Sequence, residues 1–355
     1  MAADTTRENV RIAVIGHFGG VTPFKDGQVI KTMAAYDALK RYGIEHIDKI
    51  DSYYASRKPF QFFCDFFHGI IRNDKFVVIL SKKGKRILFP LLYFSSKYLK
   101  KEIYHYALGG LLAQEVQGNP KRIKYISSFR KNWLESHALV HELQDLGVGN
   151  AAYLPNLKKL TVLTQEELPD EFSEPYKLCI FSRVTIEKGI EDAIKTVREI
   201  NAEAGRVIVT LDMYGPTEPE TYLERLNEIL KNDTVCRYCG VIPENKSVEI
   251  LRDYYVLLFP THYRYEGIPG TIIDALSAGL PVISRRWQFC DEMLTDGYTG
   301  LIYDFDQPEQ LKEKILYAIN HKSEIVQMKK NCLKSAEPYR EENVIRQIAE
   351  EMGIS

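Results

Sequence analysis

Two carboxylates flank a predicted helix start in the second half of the chain. Glu266 lies in the loop THYRYEGIPG, and Asp274 follows eight residues later within the apolar stretch TIIDALSA. Between them Gly270 and Thr271 open the predicted helix, where backbone N–H groups lack partners and favour an anion such as phosphate. Carboxylates accept hydrogen bonds from neighbouring hydroxyls. The pattern therefore predicts a ligand with a central phosphate and polyols at both ends, as in a nucleotide sugar.

The flanking segments predict the elements that hold these groups. The run Val256–Pro260 is typical of a strand buried in a parallel sheet. Gly279 and Pro281 end the helix, and PVIS begins the next strand. The alternative is a plain strand–helix–strand unit whose carboxylates are solvated, since acidic residues are favoured at helix starts.

A second charged pair follows another predicted strand, KLCIFS. Arg183 and Lys188 leave its carboxyl end, the edge at which α/β sheets bind ligands. Two fixed cations at that edge suit a diphosphate and stabilise its departure as a leaving group. The alternative is a pair of ordinary surface residues.

The stretch EGIPGTIID resembles the E-x7-E motif of retaining GT-B glycosyltransferases of family 4, also called glycosyl transferases group 1. The similarity runs nearly the whole chain and is closest to members that build bacterial capsular and other surface polysaccharides. It implies that Glu266 holds the donor sugar, Asp274 the ribose, and the backbone of Gly270 and Thr271 the diphosphate. The family has Glu where this chain has Asp274, so the side chain reaches less far.

The R-x4-K spacing of Arg183 and Lys188 also matches that family, in which both residues stabilise the leaving diphosphate. The resemblance implies a donor-facing turn at Asp26-Gly27-Gln28 and a turn beside the nucleotide base after the strand TVCRYC. The further donor-binding residues implied are Gly27, Gln28, Gly240 and Val241.

The segment IYHYALGG supplies the acceptor-side candidates. Gly109 and Gly110 would let the backbone approach a sugar closely. In related enzymes a catalytic-side His or Asp lies near this point, which makes His105 a catalytic candidate. The alternative is a structural role, since a single His in an aromatic strand more often packs than reacts.

Residues 52–106 differ in composition from the rest of the chain. They contain eleven Lys and Arg, three acidic residues and fourteen aromatic residues, so they carry +8 in a chain of net charge −1. This mixture suits an anionic membrane surface or single-stranded nucleic acid. A plain core with a solvated face is the third interpretation, because Phe76–Ser81 and Arg86–Tyr93 contain ordinary strand residues. The resemblance favours the inner membrane leaflet, with a polyprenyl-diphosphate-linked glycan as acceptor and no nucleic acid as partner.

Length and pattern predict an α/β protein of two domains. A chain of 355 residues exceeds one ordinary core, and strands alternate with helices in both halves. The polar stretch Thr164–Pro175 is the predicted linker. The resemblance implies the GT-B fold, with two Rossmann-like domains whose parallel sheets face each other across a cleft. We expect an acceptor-binding domain over 1–165, a nucleotide-sugar domain over 175–325, and helices over 326–355 that pack back toward the first domain.

The sequence shows no pattern typical of disulfides, a membrane span or a metal site. The six cysteines show no disulfide-like pattern, which fits a reducing compartment. No signal sequence is evident, and no apolar run approaches ~18 residues. We therefore expect a cytoplasmic protein, or one peripheral on the inner membrane face. No D-x-D motif stands at a strand end, and cations with a helix dipole can replace a metal, so we expect neither a metal nor a cofactor.

Together with these patterns, the resemblance implies a retaining glycosyltransferase that moves a sugar from a UDP- or GDP-linked donor to a glycan or lipid-linked acceptor in surface polysaccharide synthesis. Two alternatives stay open. A GT-B-fold epimerase or phosphorylase acting on a soluble sugar would not need the basic and aromatic segment. A nucleotide-binding scaffold of a polysaccharide assembly complex would bind nucleotide without turnover.

Overall fold

The computed structural model describes residues 10–20, 27–169, 171–243 and 246–354, apart from the side chain of Glu220. The described chain divides into two compact units. Unit 1 comprises the residues up to Lys159 together with those from Glu341 onward, and unit 2 runs from Leu160 to Arg340. Each unit is built on one six-stranded sheet. The predicted α/β class is therefore confirmed.

The sheet of unit 1 is parallel throughout. Its strands are β1 (Arg11–Gly16), β2 (His46–Asp51), β3 (Lys75–Val78), β4 (Glu102–Tyr106), β5 (Lys131–Leu134) and β6 (Ala151–Tyr153). Their order is β2-β1-β3-β4-β5-β6. Five of the six residues of β1 are buried, as expected for a parallel strand covered by helices on both faces.

The helices of unit 1 cover both faces of this sheet. They are α1 (Gly27–Arg41), α2 (Pro59–Arg72), α3 (Lys82–Leu99), α4 (Leu112–Val116), α5 (Pro120–Ser127) and α6 (His137–Asp145). The chain runs outward from β1 to β2 and then returns across β1 to β3 and onward to β6. Because such crossovers are right-handed, α1 lies on one face and α2, α3, α4 and α5 lie on the other.

The stretch Arg86–Tyr93 is helical and belongs to α3. The hydroxyl of Ser81 accepts a hydrogen bond from the backbone N–H of Gly84 and so caps the helix start. Leu88, Phe89 and Leu92 are its buried apolar residues, and their spacing fits one helix face. The interpretation of this stretch as strand is wrong, because an apolar run without its flanking signals does not separate a buried strand from a helix.

Unit 2 repeats the architecture with a different strand order. Its strands are β7 (Tyr176–Phe181), β8 (Val209–Tyr214), β9 (Cys236–Gly240), β10 (Val256–Phe259), β11 (Val282–Arg285) and β12 (Gly300–Tyr303). The parallel order is β12-β11-β10-β7-β8-β9. The chain leaves β7 toward one edge and β10 toward the other, so the boundary between β7 and β10 is the topological switch point, where open α/β sheets bind ligands.

Seven helices are described in unit 2. They are α7 (Ile190–Ala204), α8 (Glu220–Ile229), α9 (Ser247–Leu251), α10 (Gly270–Ser277), α11 (Cys290–Met293), α12 (Gln310–Asn320) and α13 (Lys322–Ala336). The buried Lys329 of α13 fixes the end of α10, because its Nζ donates to the carbonyl of Gly279 at 3.5 Å and to that of Tyr254 at 3.0 Å. Burial lowers the pKa of Lys329 to about 8.

The division of the chain differs from the predicted boundaries. The stretch Thr164–Pro175, predicted as a linker, belongs to unit 2. There the ring of Phe172 packs against Tyr255 at a centroid distance of 5.1 Å, a contact that the polar composition of the stretch did not suggest. Unit 2 also includes α13, so residues 326–340 do not return to unit 1.

Only the last helix, α14 (Glu341–Met352), packs in unit 1. Its Val344 and Ile348 join Ala35 and Leu39 of α1 in one apolar cluster. None of the described helices is both long enough and apolar enough to cross a membrane.

Candidate functional site

The candidate site lies at the switch point of unit 2. The neighbouring strands β7 and β10 are parallel, so their carboxyl ends meet at one edge of the sheet. Arg183 and Lys188 follow β7, and Glu266 follows β10 before α10 begins. The topology thus brings Glu266 to the same sheet edge as Arg183 and Lys188, which are about 80 residues earlier in the sequence.

Lys188 and Glu266 form an ion pair across the switch point. The Nζ of Lys188 contacts the Oε1 of Glu266, and each side chain is only 12% exposed. Because the pair is largely shielded from water, its attraction is screened less than that of a surface pair. The sequence placed both residues in the site but did not predict their contact.

Thr261 is a member of the site that sequence reasoning missed. It is buried, and its hydroxyl donates to Glu266 Oε1 at 3.0 Å while accepting from the backbone N–H of Tyr263 at 3.1 Å. The available signal was its position directly after the strand run that ends at Pro260. A polar residue at the carboxyl end of a switch-point strand is a candidate ligand or positioning residue.

Both contacts of Glu266 use the same carboxylate oxygen. Lys188 and Thr261 bind Oε1, and no described residue donates a hydrogen bond to Oε2. A carboxylate held at one oxygen and available at the other can accept hydrogen bonds from a ligand hydroxyl in a fixed orientation. This geometry suits Glu266 to holding a sugar.

The loops after β7 and β10 touch directly at Gly189. Its φ of +70° lies in the left-handed region, and a Cβ there would stand 2.1 Å from the carbonyl oxygen of Pro260. The backbone N–H of His262 also donates to the carbonyl of Glu187 at 2.7 Å. The glycine therefore permits the close approach that brings Lys188 to Glu266.

The helix α10 begins beside this pair. No side chain caps its start at Pro269. Among the described residues, none accepts a hydrogen bond from the backbone N–H of Gly270 or Thr271, whereas the hydroxyl of Thr271 donates to the carbonyl of Phe181 at the end of β7. Two N–H groups at a fixed helix start form a site that favours an anion.

Arg183 lies on the same edge, but its side chain is exposed to solvent. Its side chain is 59% exposed, and its guanidinium stands 3.6 Å from the carboxylate of the equally exposed Glu218. Exposed pairs of this kind contribute little to stability. The guanidinium is therefore free to exchange this partner for a ligand, and its role toward a diphosphate stays a prediction.

Asp274 does not take the position that the sequence suggested. It is 1% exposed, and its Oδ1 accepts a hydrogen bond from the Ser247 hydroxyl of α9 at 2.8 Å. Its short side chain keeps the carboxylate between α10 and α9. The predicted contact with ribose needs an accessible carboxylate, so the structure does not support that assignment.

The turn after β9 remains a candidate for the nucleotide base. The carbonyl of Gly240 accepts from the backbone N–H of Gly215 at 2.9 Å, which joins the turn to the end of β8. Val241 is 67% exposed. An exposed apolar side chain at the carboxyl edge is available to pack against a flat ring, and this role stays a prediction.

The remaining predicted residues lie in unit 1. Gly27 is the exposed first residue of α1, and the amide of Gln28 donates to the carbonyl of Ile79 at 3.1 Å. Asp26 lies outside the described residues. Gly109 and Gly110 follow β4, the former exposed and the latter buried. Their proposed donor and acceptor contacts stay predictions.

His105 belongs to the core of unit 1 and not to an active site. It is 0% exposed in β4, packs edge-on against Phe89 and lies 3.1 Å from Asn132 Oδ1 through Nδ1. Burial, with a smaller effect of the Lys85 charge, lowers the pKa of His105 to about 3. The structure does not support the catalytic assignment, because the ring lies in the core and does not reach solvent.

The buried neutral His105 predicts acid sensitivity of folding. Its pKa is about 3 when folded and about 6.5 when unfolded. The unfolded chain therefore takes up the proton first, and stability present above pH 6.5 is lost as the pH falls. Between pH 7.5 and 5 this loss is about 2 kcal/mol.

The variant His105→Gln tests this, because an amide can still donate to Asn132 but does not titrate. Urea unfolding at both pH values should show a loss that is smaller by about 2 kcal/mol in the variant. Exposed His46→Gln is the matched control and should behave like the parent chain. Equal acid sensitivity of all three chains would contradict the assignment.

Comparison with known proteins gives the family context of unit 2. Residues 164–335 match the family described as glycosyl transferases group 1. An uncharacterised glycosyltransferase of Methanocaldococcus jannaschii is 24% identical over 161 residues, which cover 44% of this chain and 39% of that protein. The amylovoran biosynthesis glycosyltransferase AmsK of Erwinia amylovora is 24% identical over 138 residues, which cover 38% of this chain and 33% of AmsK. The matches thus span less than half of each relative.

A solved structure extends the likeness to the whole described fold. The crystal structure of HepE from Anabaena, in complex with UDP and glucose, is similar with a TM-score of 0.71 at 12% identity. The match covers 97% of this chain and 99% of HepE. Together with the two six-stranded parallel sheets, this confirms the GT-B fold that the resemblance implied.

Proposed function

Residues 164–335 belong to the glycosyl transferases group 1 family, and from this premise we propose that the chain is a glycosyltransferase of polysaccharide biosynthesis. The donor is a nucleoside-diphosphate sugar, UDP- or GDP-linked, and the acceptor is a glycan or a lipid-linked glycan. Transfer proceeds with retention of the anomeric configuration, a feature that rests on the family resemblance. NMR of the product's anomeric proton distinguishes retention from inversion.

The observation that carries the proposal is the arrangement at the switch point of unit 2. Glu266 is held at Oε1 by Lys188 and Thr261, and its Oε2 is available for sugar hydroxyls. The N–H groups of Gly270 and Thr271 stand at the start of α10 beside it. An anion site next to a carboxylate acceptor matches a phosphate joined to a sugar.

In the proposed reaction the bond from the anomeric carbon to the diphosphate breaks, and negative charge develops on the diphosphate. The anomeric carbon forms its new bond to an acceptor hydroxyl oxygen, and the proton of that hydroxyl passes to the departing diphosphate. Lys188 and the α10 N–H groups stabilise that charge, with exposed Arg183 as a further cation. Groups already fixed by the fold need little reorganisation at the moment of reaction. The proposal assigns this stabilisation to the chain's own groups and routes no step through a metal.

Thermal unfolding with nucleotides tests the donor site. The chain is heated with UDP, GDP, ADP and CMP, and then with UDP-, GDP- and ADP-sugars. A ligand at 100 times its Kd stabilises the folded chain by about 2.7 kcal/mol. We expect one nucleoside diphosphate to raise the Tm, and Glu266→Gln to weaken binding of its sugar-bearing form more than of the nucleotide alone.

The control variant is Glu199→Gln, an exposed carboxylate on α7 that should leave both ligands unchanged. If no nucleotide raises the Tm, the proposed donor site is wrong. If nucleotide binds but Glu266→Gln changes neither sugar binding nor turnover, a nucleotide-binding scaffold becomes the better explanation.

We also propose that unit 1 associates with an anionic membrane surface. On the sheet face that carries α2 and α3, large apolar side chains are exposed to solvent. They are Phe60, Phe67, Ile71, Ile87, Phe94, Tyr98 and Leu99. Exposed cations lie on the same helices, at Arg72, Lys82, Lys83, Arg86 and Lys97.

Apolar side chains that insert among headgroups, with cations beside them, complement an anionic lipid surface. Sedimentation with phosphatidylglycerol vesicles tests the surface. Binding should weaken with salt and with Phe60→Ser, but not with Val207→Ser, an exposed apolar position in unit 2. Absence of vesicle binding would favour a soluble acceptor.

A further inference from the structure

A cavity in unit 1 lies outside every predicted site residue. It is lined by residues of α3, α4 and α5, opens to solvent and has a volume of about 210 Å³. This is smaller than the pockets that hold drug-sized ligands, which measure roughly 300–1,000 Å³. Its size therefore suits one compact group and not a whole nucleotide.

The cavity lining is strongly basic. It contains Lys82, Lys85, Arg86, Lys121 and Arg122, against the single carboxylate of Glu115. Five cations and one anion leave a net charge of +4. A concave surface with this balance of charge attracts anions.

The one carboxylate is already neutralised. Lys85 pairs with Glu115, and both side chains are largely buried, at 10% and 16% exposure. The guanidinium of Arg122 donates to the backbone carbonyl of Glu115 at 2.7 Å. These two contacts fix α3 and α5 to α4, so the cavity wall is held in place without using its other cations.

Three cations of the lining have no protein partner. Lys82, Arg86 and Lys121 are exposed, and no described residue forms an ion pair or a hydrogen bond with their side chains. A carboxylate ligand would neutralise only one of them. A phosphate carries up to two charges and three acceptor oxygens, which matches three cationic donors around one cavity more closely.

The rest of the lining is mainly apolar. Phe89, Leu112 and Val116 are buried lining residues, and Pro90 and Tyr125 join them. Cationic and apolar side chains around one cavity fit a phosphate attached to an apolar or neutral organic group. A free inorganic ion would leave the apolar side chains without a contact.

We propose that this cavity binds the phosphate group of a phosphorylated ligand, supplied either by a lipid headgroup or by a soluble phosphate ester. None of the residues that line the cavity is among the proposed donor-binding residues. The site deepens the proposed membrane association, because α3 contributes residues both to the cavity and to the exposed apolar surface, but it does not depend on glycosyl transfer.

Lysine acylation followed by mass spectrometry tests the site residue by residue. The full chain is labelled alone, with inorganic pyrophosphate, with phosphatidylcholine vesicles, and with the same vesicles containing phosphatidic acid. We expect protection of Lys82 and Lys121 but not of Lys40, an exposed residue of α1 that lines neither the cavity nor the proposed membrane surface. Protection of Lys188 in the same spectra reports the donor site separately, so the two proposals can fail independently.

Two variants complete the experiment. Arg86→Gln removes a cation that the reagent does not label, and it should raise the concentration for half-protection at least about tenfold, as expected for one charge-assisted hydrogen bond. Lys40→Gln removes a positive charge outside both the cavity and the proposed membrane surface, and it should change that concentration by less than about twofold.

The probe that protects the two lysines identifies the source of the phosphate. Pyrophosphate protection without a vesicle effect indicates a soluble ester, and protection by phosphatidic acid but not by phosphatidylcholine alone indicates a headgroup. The proposal is overturned if neither probe protects Lys82 and Lys121. It is equally overturned if Lys40 is protected as strongly or if both variants weaken protection alike, since either result means unspecific attraction to positive charge.

Discussion

Replacing Lys188 with Ala is expected to lower kcat by about 100-fold or more with the donor that thermal unfolding identifies. Removal of one preorganised group that stabilises charge in a transition state costs on this scale. Lys188 is held by Glu266 at the switch point, so it is in position before the diphosphate leaves. The measurement is the steady-state rate of transfer over the same series of donor concentrations for both enzymes, which separates kcat from KM.

The matched control is Lys195→Ala on α7. Its side chain is 77% exposed and contacts only Glu199 of the same helix, at 3.8 Å, so its loss should leave kcat within about twofold. A Lys188→Ala enzyme that retains more than about one third of parent turnover would refute the assignment. Circular dichroism of both variants excludes unfolding as the cause.

The substitution Gly189→Ala should be strongly destabilising, by more than about 2 kcal/mol. The left-handed backbone at φ +70° costs a residue with a side chain about 1–2 kcal/mol. The added methyl would also stand 2.1 Å from the carbonyl oxygen of Pro260, so the two loops must separate. The loss in the free energy of unfolding, measured in urea, gives the sum of the backbone cost and the steric cost.

Gly205 at the other end of α7 separates the two causes. Its φ is +65°, and a Cβ there meets no atom within 4 Å, so Gly205→Ala should cost only the backbone term of about 1–2 kcal/mol. The excess in Gly189→Ala is then the cost of parting the β7 and β10 loops. The Gly189→Ala variant should also bind the nucleotide sugar more weakly, because Lys188 moves away from Glu266. Equal losses of stability in both variants would show that the close approach is not essential.

The local architecture was readable from the sequence. Continuous apolar runs predicted buried parallel strands, and the breakers around Gly270 predicted the start of α10. The order of residues along the chain also put Arg183, Lys188 and Glu266 after strand ends, where ligands bind. These features depend on neighbours in sequence, so periodicity and turn residues are enough to predict them.

Assignments that depended on solvent exposure failed more often. His105 and Asp274 carry the right chemistry for a site, yet both are buried and hydrogen-bonded inside their units. The stretch Thr164–Pro175 is polar but packs within unit 2. Whether a polar side chain faces water depends on elements distant in sequence, which a local pattern does not contain.

The sequence by itself determined which elements form and which residue types stand at their ends. Only the tertiary structure decided that Thr261 joins Glu266, that Gly189 must lack a side chain, and that α3, α4 and α5 line a basic cavity. The physical reason is the range of the interactions. Helix caps, turns and apolar periodicity act over a few residues, whereas the pairing, burial and convergence of charges require segments that meet only when the sheets assemble.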